Sequence, residues 1–505
     1  MNKILDELGI DYLLVNSTNK YLVEYPELEE NARYTLTGFS GSTGDALITN
    51  DAIYLFVDGR YHIQADMEVK EGVKVVKLQI GQKQDDEIKK LINPDKILGI
   101  ISKKVSQKRL ENFNGYKIKL IDTDPINAHN IQHNTDYKKA FEPKKYLPKA
   151  TFITNLEEVS YLTGLRDFSK DNTSKIWAKL FIKGDKRILF NNDEECDKFL
   201  SEYKGELIVD KASINAHDYS LIKNPFHKTS EVKLMKAIKS DIELEGYKDA
   251  FMRTDKAIMA IREYIESNDN LSEYDIAAKL REEYMKFGAK SLSFNSIVAI
   301  NKNSAQAHYA KSSKDVILHE GDLVLIDSGA YYESGLATDI TRVFVKGKPN
   351  ELQKKVYTTV LKAFLNCYNY INPHSDPSLT WGKRDQTKVS GIEIDTLAHS
   401  LLDNTIESFR FNHGLGHGIG INVHEAPPNL SQNEIAKAEI KDGMCFTIEP
   451  GLYNPEYFGI RLENSCYKKD GKTRSFVKMG YEGKLIDYEL LNSKELEWLK
   501  EFEIL

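Results

Sequence analysis

The stretch HGLGHGIGINVHEAPPN, residues 413–429, constrains the fold of this chain more than any other segment. Its first two histidines, His413 and His417, have the i, i+4 spacing of metal ligands on a helix. The glycines between them exclude such a helix, because each costs about 1 kcal/mol in a helix interior. A dinucleotide-binding fingerprint that starts at Gly414 also fails, since Ile419 occupies its last glycine position. We therefore expect an extended or turning backbone that other segments approach closely.

The end of the same stretch, INVHEAPP, predicts a strand end that presents His424 beside a turn stiffened by proline. Histidines that merely line an apolar core are a weaker explanation, because the stretch contains few large apolar residues with which to form a core. Metal ligation therefore remains open, and residues elsewhere in the chain must supply the other ligands.

The bulk composition is that of an ordinary globular protein. The 505 residues, 41% hydrophobic and 29% charged, imply about two to four domains. The net charge of −7 and the lack of a basic block argue against a nucleic-acid partner. The N-terminus does not resemble a signal peptide, and no segment approaches the ~20 apolar residues that span a bilayer. The cysteines form no CxxC pair, so we expect a cytoplasmic protein without disulfides or membrane contact.

Two segments of the N-terminal half, 34–61 and 160–192, are similar to each other. Each has a Leu-Thr-Gly turn, a polar loop, an alternating apolar strand, a turn and another strand. A strand that ends in a polar turn precedes each of them. This pattern predicts one α/β unit used twice, with chance similarity as the alternative. The lysine- and proline-rich segment 142–150 is expected to be a linker, and a further boundary is expected near 223–231.

The chain is therefore divided into α/β domain I at 1–126, α/β domain II at 127–226 and an α+β domain at 227–505. In the last domain, helices are expected over 229–265, 272–287, about 350–370 and about 392–405, and strands dominate from His413 to about Tyr467. The first helix is predicted from apolar residues at helical spacing and from a cap at Thr229 or Ser230. Ser272 is expected to cap the second helix.

Carboxylates stand at the ends of several predicted strands of this domain. Asp327 ends an apolar run and Asp339 opens the next strand, which predicts a hairpin that holds both, although aspartates in hairpins often serve only the turn. Glu449 ends a strand and precedes a proline, which keeps it extended. Glu463 lies on an apolar strand just after Arg461, where it needs a partner. An ion pair between Glu463 and an arginine on an exposed face is the alternative.

Four carboxylates and His417 cannot converge without neutralisation, because like charges at short range oppose each other's ionisation. Two divalent cations would supply the neutralising charge. Ligation by several oxygens and one nitrogen suits Mn²⁺, with Co²⁺ or Zn²⁺ as alternatives. Two such ions can share a hydroxide and polarise a carbonyl group, which is the chemistry of amide hydrolysis.

The motifs LIDSGA…DITR, HGLGHGIG…VHEAP, TIEPG and GIRLEN follow one another in the order found in the M24 metallopeptidases, and the chain resembles that family. The resemblance implies a pita-bread catalytic domain preceded by two similar creatinase-N-terminal-like α/β domains. Within the family the chain is most similar to the three-domain aminopeptidase P group. LTGFSGSTGDALIT…DGRYHIQA looks like the first domain of that group, and LIDYELLNSKELEWL looks like its C-terminal tail.

The resemblance also implies the roles of the site residues. Metal ligands would be Asp327 for one ion, His417 and Glu449 for the other, and Asp339 and Glu463 for both. Glu449 would in addition accept the proton of the bridging water. Residues at the substrate would be His308 beside the tetrahedral intermediate, His424 at the substrate backbone, His413 in the proline-side pocket and Arg461 orienting carboxylates.

The activity implied is that of a cytoplasmic, homodimeric aminopeptidase that hydrolyses the bond between an N-terminal residue and a penultimate proline. Such a bond is a tertiary amide whose departing nitrogen must be protonated. The alternative enzyme is a prolidase, which cuts Xaa-Pro dipeptides with the same ligands. A metal-free pseudo-peptidase that only binds partners is disfavoured, because all five ligands are present.

The chain departs from the aminopeptidase P pattern in four places, and one of them is a second domain that looks short. Asp327 and Asp339 are 339 − 327 = 12 positions apart, one more than expected, and His417 and His424 are closer, as in prolidases. The segment 374–388 looks like an insertion. Its Trp381 could reach a substrate pocket, although a solvated loop is the simpler interpretation.

Overall fold

The computed structural model describes residues 2–24, 26–79, 81–127, 133–143, 147–309, 311–371 and 388–505. The predicted insertion at 374–388, with Trp381, lies outside the described residues except for Lys388. The chain divides into two compact units: the first comprises 1–137, 143–163 and 176–230, and the second comprises 138–142, 164–175 and 231–505. The three-domain boundaries stay a prediction. Among the described residues, no helix combines the length and the apolar character needed to cross a membrane.

Helices and strands alternate through most of the chain. In chain order the helices are α1 (Asn2–Leu8), α2 (Ala32–Thr37), α3 (His62–Glu68), α4 (Gln84–Lys89), α5 (Gln107–Glu111), α6 (Leu156–Thr163), α7 (Asp193–Glu202), α8 (Ala216–Leu221), α9 (Val232–Ala237), α10 (Asp241–Ser267), α11 (Glu273–Lys286), α12 (Glu351–Tyr370), α13 (Gly391–Leu402) and α14 (Ser493–Leu499). The strands are β1 (Tyr12–Val15), β2 (Ala46–Ile48), β3 (Ile53–Val57), β4 (Val73–Lys77), β5 (Ile97–Ile101), β6 (Lys117–Ile121), β7 (Lys138–Lys139), β8 (Leu147–Ile153), β9 (Leu165–Arg166), β10 (Lys179–Gly184), β11 (Lys186–Phe190), β12 (Leu207–Val209), β13 (Pro225–His227), β14 (Ser291–Leu292), β15 (Ile297–Ile300), β16 (Leu323–Ser328), β17 (Ala330–Tyr331), β18 (Ile340–Val345), β19 (Gly416–His417), β20 (Asn429–Leu430), β21 (Cys445–Ile448), β22 (Gly451–Tyr453), β23 (Gly459–Arg461), β24 (Glu463–Lys469) and β25 (Lys472–Ser475).

The first unit contains two sheets of related topology, with strand orders β4-β3-β2-β1-β5-β6 and β11-β10-β8-β12-β13. In each sheet the first strand in sequence (β1 or β8) pairs antiparallel with a hairpin and parallel with a later strand. A helix, α2 or α6, stands between that strand and the hairpin in both cases. The α/β unit predicted to be used twice is therefore confirmed.

The second unit is α+β, as predicted. Its main sheet has the order β15-β16-β18-β24-β21, and β25 pairs with β24. A large apolar cluster joins strands of this sheet to α12 and α13 through fully buried side chains such as Val360, Phe364 and Ile394. This packing fixes the sheet as the rigid base on which the strand-end carboxylates stand.

The helices predicted near 272–287, 350–370 and 392–405 are present as α11, α12 and α13, and Ser272 caps α11 as expected. The single helix predicted over 229–265 is wrong. It is broken between α9 and α10, where Ile238 forms a β-bridge with Met444 and Ser240 caps the second helix. The apolar spacing continues across the break, but the backbone of 238–239 bonds to a distant strand instead of to its own helix.

Two strand predictions also need correction. GIRLENS is not one strand, because β23 pairs with β22 while β24 joins the main sheet. INVHEAPP contains no strand, and His424 lies in a turn. In both places the direction of the backbone is set by contacts with distant segments, which the local pattern does not show.

Candidate metal centre

The register of the main sheet places the predicted carboxylates in one row. Asp327 is opposite Thr341, and Thr341 is in turn opposite Glu463 on the next strand. Side chains directly opposite each other in a sheet point to the same face. Asp339 stands two positions before Thr341 and so faces the same way. Three strands therefore direct Asp327, Asp339 and Glu463 to one point.

His417 and Glu449 come from β19 and from the end of β21. The backbone N–H of His417 donates to the hydroxyl of Thr447 at 3.1 Å, and the N–H of Glu449 donates to the carbonyl of Leu415 at 2.8 Å. His417 Nε2 then lies 3.4 Å from Glu449 Oε1 and 3.5 Å from Asp339 Oδ2. The five predicted ligands thus surround one site, which we call the candidate metal centre.

The glycines of the histidine-rich stretch allow this close packing. A Cβ at Gly416 would collide with the carbonyl oxygen of Thr447, and one at Gly418 would collide with the carbonyl oxygen of Glu425. Only glycine admits such close approach of two backbones. The sequence prediction of an extended backbone closely approached by other segments is confirmed.

Burial and mutual repulsion raise the carboxyl pKa values of the centre. Burial raises the pKa of Glu449 to about 8. It also raises the pKa values of Asp339 and Glu463 well above their usual range, and the charges of neighbouring carboxylates raise them further. Among the described residues, Arg461 is the cation that opposes these shifts. All four carboxylates can ionise together only with additional positive charge.

Two oxygens of the centre are buried without a hydrogen-bond partner among the described residues, Asp327 Oδ1 and Glu463 Oε1. A buried carboxylate oxygen without a partner is unfavourable unless a cation binds it. One ligand atom from each of Asp339, His417 and Glu463 lies within 4.8 Å of the others. The residues therefore fit divalent cations.

The imidazole of His417 is prepared for ligation. Its Nδ1 donates to the carbonyl oxygen of Gly418 at 3.1 Å, which leaves the lone pair of Nε2 facing the carboxylates. Burial lowers the pKa of His417 to about 4, so the ring is neutral at physiological pH. A neutral ring whose second nitrogen is held by a carbonyl is the usual form of a metal-bound histidine.

A chain of buried and partly buried hydrogen bonds leads away from the centre. Arg461 donates to Asp327 Oδ2 at 2.5 Å and to the hydroxyl of Tyr453 at 2.9 Å. That hydroxyl lies 2.7 Å from His413 Nε2, whose ring binds the carbonyl of Gly414 through Nδ1. Tyr453 therefore receives one hydrogen bond and donates another, and it couples His413 to Arg461.

His308 and His424, predicted to contact substrate, are both exposed to solvent. The rings of His424 and His417 are 4.4 Å apart, edge to face. Burial lowers the pKa of His413 to about 3, and the charges of Arg461 and His308 lower it further. The alternative of an exposed ion pair for Glu463 is wrong, because Glu463 is only 1% exposed and Arg461 binds Asp327.

Sequence reasoning missed three polar residues of the site. Thr341 donates to Glu463 Oε2 at 2.7 Å and accepts from Arg461 Nε at 3.2 Å. Thr447 donates to Glu449 Oε1 at 3.2 Å, and Tyr453 links Arg461 to His413. Strand alternation from Asp339 would have found Thr341, whereas no local pattern distinguishes Tyr453.

Two known protein families match parts of this chain. Residues 245–469 match metallopeptidase family M24, and residues 1–129 match the creatinase/prolidase N-terminal domain. The chain carries an M24 metallopeptidase domain at residues 245–469. It is therefore an enzyme, and the pita-bread catalytic fold with a creatinase-type N-terminal domain is confirmed.

Relatives of this M24 chain match it over nearly its whole length. A probable Xaa-Pro aminopeptidase P of Coprinopsis cinerea is 26% identical over 99% of this chain and 93% of that protein. Xaa-Pro aminopeptidase 1 of Dictyostelium discoideum is 26% identical over 99% of this chain and 91% of that protein. The structure of a Caenorhabditis elegans X-prolyl aminopeptidase, described as a cytosolic enzyme with a dinuclear active site, covers 97% of this chain and 90% of its own, with a TM-score of 0.81 and 21% identity.

Proposed function

We propose that this M24 enzyme is a dinuclear Xaa-Pro aminopeptidase that removes the N-terminal residue from peptides with proline in second position. The observation that carries the proposal is a buried cluster of four carboxylates and one neutral histidine. Two oxygens of these carboxylates, Asp327 Oδ1 and Glu463 Oε1, have no hydrogen-bond partner among the described residues. The specificity for proline is supported by the names of the full-length relatives.

In this proposal Asp327 would hold one cation, His417 and Glu449 would hold the other, and Asp339 and Glu463 would be ligands of both. Mn²⁺ suits the oxygen-rich ligand set best, with Co²⁺ or Zn²⁺ as alternatives. When bound, the ions polarise the scissile carbonyl and lower the pKa of the attacking water.

Glu449 is the proposed proton carrier. Its carboxylate stands at the end of β21, where the donor Thr447 fixes Oε1. It takes a proton from the attacking water and returns it to the departing proline nitrogen. That nitrogen carries no hydrogen in the peptide, so cleavage requires this protonation.

The surrounding residues bind the peptide. His308 donates a hydrogen bond to the oxygen that becomes negative in the transition state. His424 binds the substrate backbone beside the scissile bond, and His413 lines the pocket for proline. Arg461 holds Asp327 in place. Tyr453 accepts a hydrogen bond from Arg461 and donates one to His413, so it also fixes the orientation of the His413 ring.

We also propose a cytoplasmic, homodimeric enzyme whose partner is the peptide substrate. The cytoplasmic assignment is supported by the absence of CxxC pairs and by the four buried free cysteines. The cytosolic C. elegans enzyme provides further support.

The test is to offer Mn²⁺-loaded protein the tripeptide Arg-Pro-Pro and the dipeptide Arg-Pro, with the Glu449→Ala variant as control. The proposal predicts cleavage of the tripeptide between arginine and proline, and loss of that cleavage in the variant. Cleavage of the dipeptide alone would instead identify a prolidase. Bound metal with no cleavage of either peptide would contradict the proposed specificity.

A further inference from the structure

A second group of buried charges lies next to His424 in sequence but supplies no ligand to the candidate metal centre. Glu425 is 5% exposed and pairs with two lysines that are equally buried. Lys236 Nζ lies 3.2 Å from one of its carboxylate oxygens, and Lys239 Nζ lies 3.2 Å from the other. Both lysines belong to the segment at the break between α9 and α10. We call these three residues the Glu425 cluster.

The carboxylate of Glu425 also holds the backbone of the turn that carries His424. Its Oε2 accepts from the N–H of Ile421 at 2.9 Å and from the N–H of Asn422 at 3.4 Å. A Cβ at Gly420 would collide with this carboxylate. The side chain of Glu425 therefore fills the inside of the turn.

The outside of the same turn is held by hydrogen bonds to its carbonyl groups. The carbonyl of Gly420 accepts from the N–H of Ala337 at 2.8 Å, and that of Ile421 accepts from the hydroxyl of Tyr331 at 3.0 Å. The backbone N–H of Glu425 donates to the carbonyl of Gly418 at 2.7 Å. This last bond joins the turn to the residue that follows the ligand His417.

Burying three charged groups is not explained by stability. A buried ion pair is often no more stable than a well-packed apolar group of the same volume. The carboxylate does what an apolar side chain of the same volume cannot do, because it accepts hydrogen bonds from the backbone of the turn. Held between its two lysines, it thereby defines one backbone path between His417 and His424, whose rings are 4.4 Å apart.

We propose that Glu425, held between Lys236 and Lys239, is a positioning residue that fixes the imidazole of His424 beside the candidate metal centre. The inference rests on the proposed function, because it concerns the substrate-facing role of His424. Glu425 touches neither substrate nor metal in this scheme and acts through the turn.

The test is a double-mutant cycle on the Mn²⁺-loaded full chain with Arg-Pro-Pro as substrate. Glu425→Gln is expected to lower kcat/KM by about 10–100-fold, as is typical when a positioning partner of an active-site group is lost. In a His424→Ala background, the same change is expected to lower it by less than about threefold, because the group being positioned is gone. Equal losses in both backgrounds would show a merely structural role and overturn the proposal, as would no loss in either.

A second readout does not depend on activity. In metal-free protein, the imidazole NMR signals of His424 can be assigned by their disappearance in His424→Ala. Glu425→Gln is expected to shift or broaden them, whereas Glu482→Gln, which alters a buried carboxylate paired with Arg262, is expected to leave them in place. Unchanged His424 signals in Glu425→Gln would also overturn the proposal.

Glu425→Asp covers the case in which Glu425→Gln does not fold, because it keeps the charge between the lysines but is one methylene too short to reach the turn. The same cycle and the same signals apply to it. Failure of the wild-type protein to cleave Arg-Pro-Pro would count against the proposed function, whereas cleavage with additive losses would count only against the positioning role.

Discussion

Two clusters of the same composition lie in different units of this protein. Among the described residues, Asp339, His417 and Glu463 in the second unit and Asp197, His217 and Asp218 in the first unit each bring two carboxylates and one histidine together within 4.8 Å. By the identity and spacing of their donor atoms, both would qualify as metal sites. They differ in what neutralises the carboxylates.

In the first unit the chain itself supplies the cations. Lys179 Nζ lies 2.6 Å from Asp218 Oδ2, and both side chains are buried. His217 Nε2 lies 3.1 Å from Asp197 Oδ2, and both of these residues are partly exposed to water. The ammonium of Lys179 supplies Asp218 with the positive charge that a metal ion would otherwise supply. We call this group the lysine-neutralised cluster.

Both clusters contain buried carboxylate oxygens without a hydrogen-bond partner among the described residues, Asp327 Oδ1 and Glu463 Oε1 in one and Asp218 Oδ1 in the other. The difference lies in the charge balance, because in the candidate metal centre four carboxylates share a single arginine among the described residues. Burial raises the carboxyl pKa values there, and no lysine of the described chain opposes the rise. The comparison teaches that a set of donor atoms becomes a metal site through its charge imbalance. Spacing alone does not distinguish the two clusters.

The largest expected effect is on metal content. Glu463→Gln removes a carboxylate from the centre, and we expect loss of bound Mn²⁺ and a fall in Arg-Pro-Pro hydrolysis of about 10³-fold or more, several kcal/mol of transition-state stabilisation. Asp197→Asn, the matched change in the lysine-neutralised cluster, is expected to alter neither. Elemental analysis of dialysed protein and initial rates measure both. Loss of metal in Asp197→Asn would contradict the claim that only the candidate metal centre binds metal.

The next effect concerns the residue that holds the carboxylates of the centre. Thr341→Val removes the hydroxyl that donates to Glu463 and accepts from Arg461. We expect Mn²⁺ affinity to fall by about 10–100-fold, the usual loss when a hydrogen-bond partner of a metal ligand is removed. Thr341→Ser keeps the hydroxyl and should bind nearly as the wild type does in a competitive chelator titration. Equal weakening in both variants would assign the effect to packing instead.

The sequence predicted the carboxylates of the candidate metal centre better than the residues that hold these carboxylates in place. Asp327, Asp339, Glu449 and Glu463 stand at strand ends, which apolar runs reveal. The break at Ile238 was missed because helical periodicity continues through it, and only the bridge to Met444 interrupts the helix. The lysine-neutralised cluster was missed for a related reason, since the pairing of Lys179 with Asp218 joins residues far apart in sequence.

A smaller effect is expected from Tyr453→Phe. The variant leaves Arg461 bound to Asp327 but removes the hydroxyl between Arg461 and His413. We expect kcat/KM for Arg-Pro-Pro to fall about tenfold, which corresponds to about 1.4 kcal/mol for one buried hydrogen bond to a charged group, with metal content unchanged. Tyr357→Phe is the matched control, because its buried hydroxyl accepts from the N–H of Glu482 instead. A kinetic loss of the same size in Tyr357→Phe would contradict a specific role for Tyr453.

The smallest effect tests the other side of the comparison, the charge balance around the lysine-neutralised cluster. Burial alone would raise the pKa of Asp193, but the hydrogen bond from Lys20 and the charges of Lys179 and Lys103 hold it well below its usual range. The unfolded chain therefore binds this proton first as pH falls, at about pH 3.9, so the stability that Asp193 contributes is present above that pH and is lost below it. At pH 7 we expect Asp193→Asn to lower the free energy of unfolding of the first unit by about 1 kcal/mol, after allowing for solvent screening.

Fluorescence of Trp177 during urea unfolding, with the other tryptophans replaced by phenylalanine, measures the stability of this unit. Asp185→Asn on the exposed hairpin turn is the control. The difference between wild type and Asp193→Asn should shrink towards pH 2; a difference that grows on acidification would mean that Lys20, Lys103 and Lys179 do not stabilise the ionised carboxylate of Asp193. Because Lys179 also pairs with Asp218, that result would weaken the contrast between the two clusters.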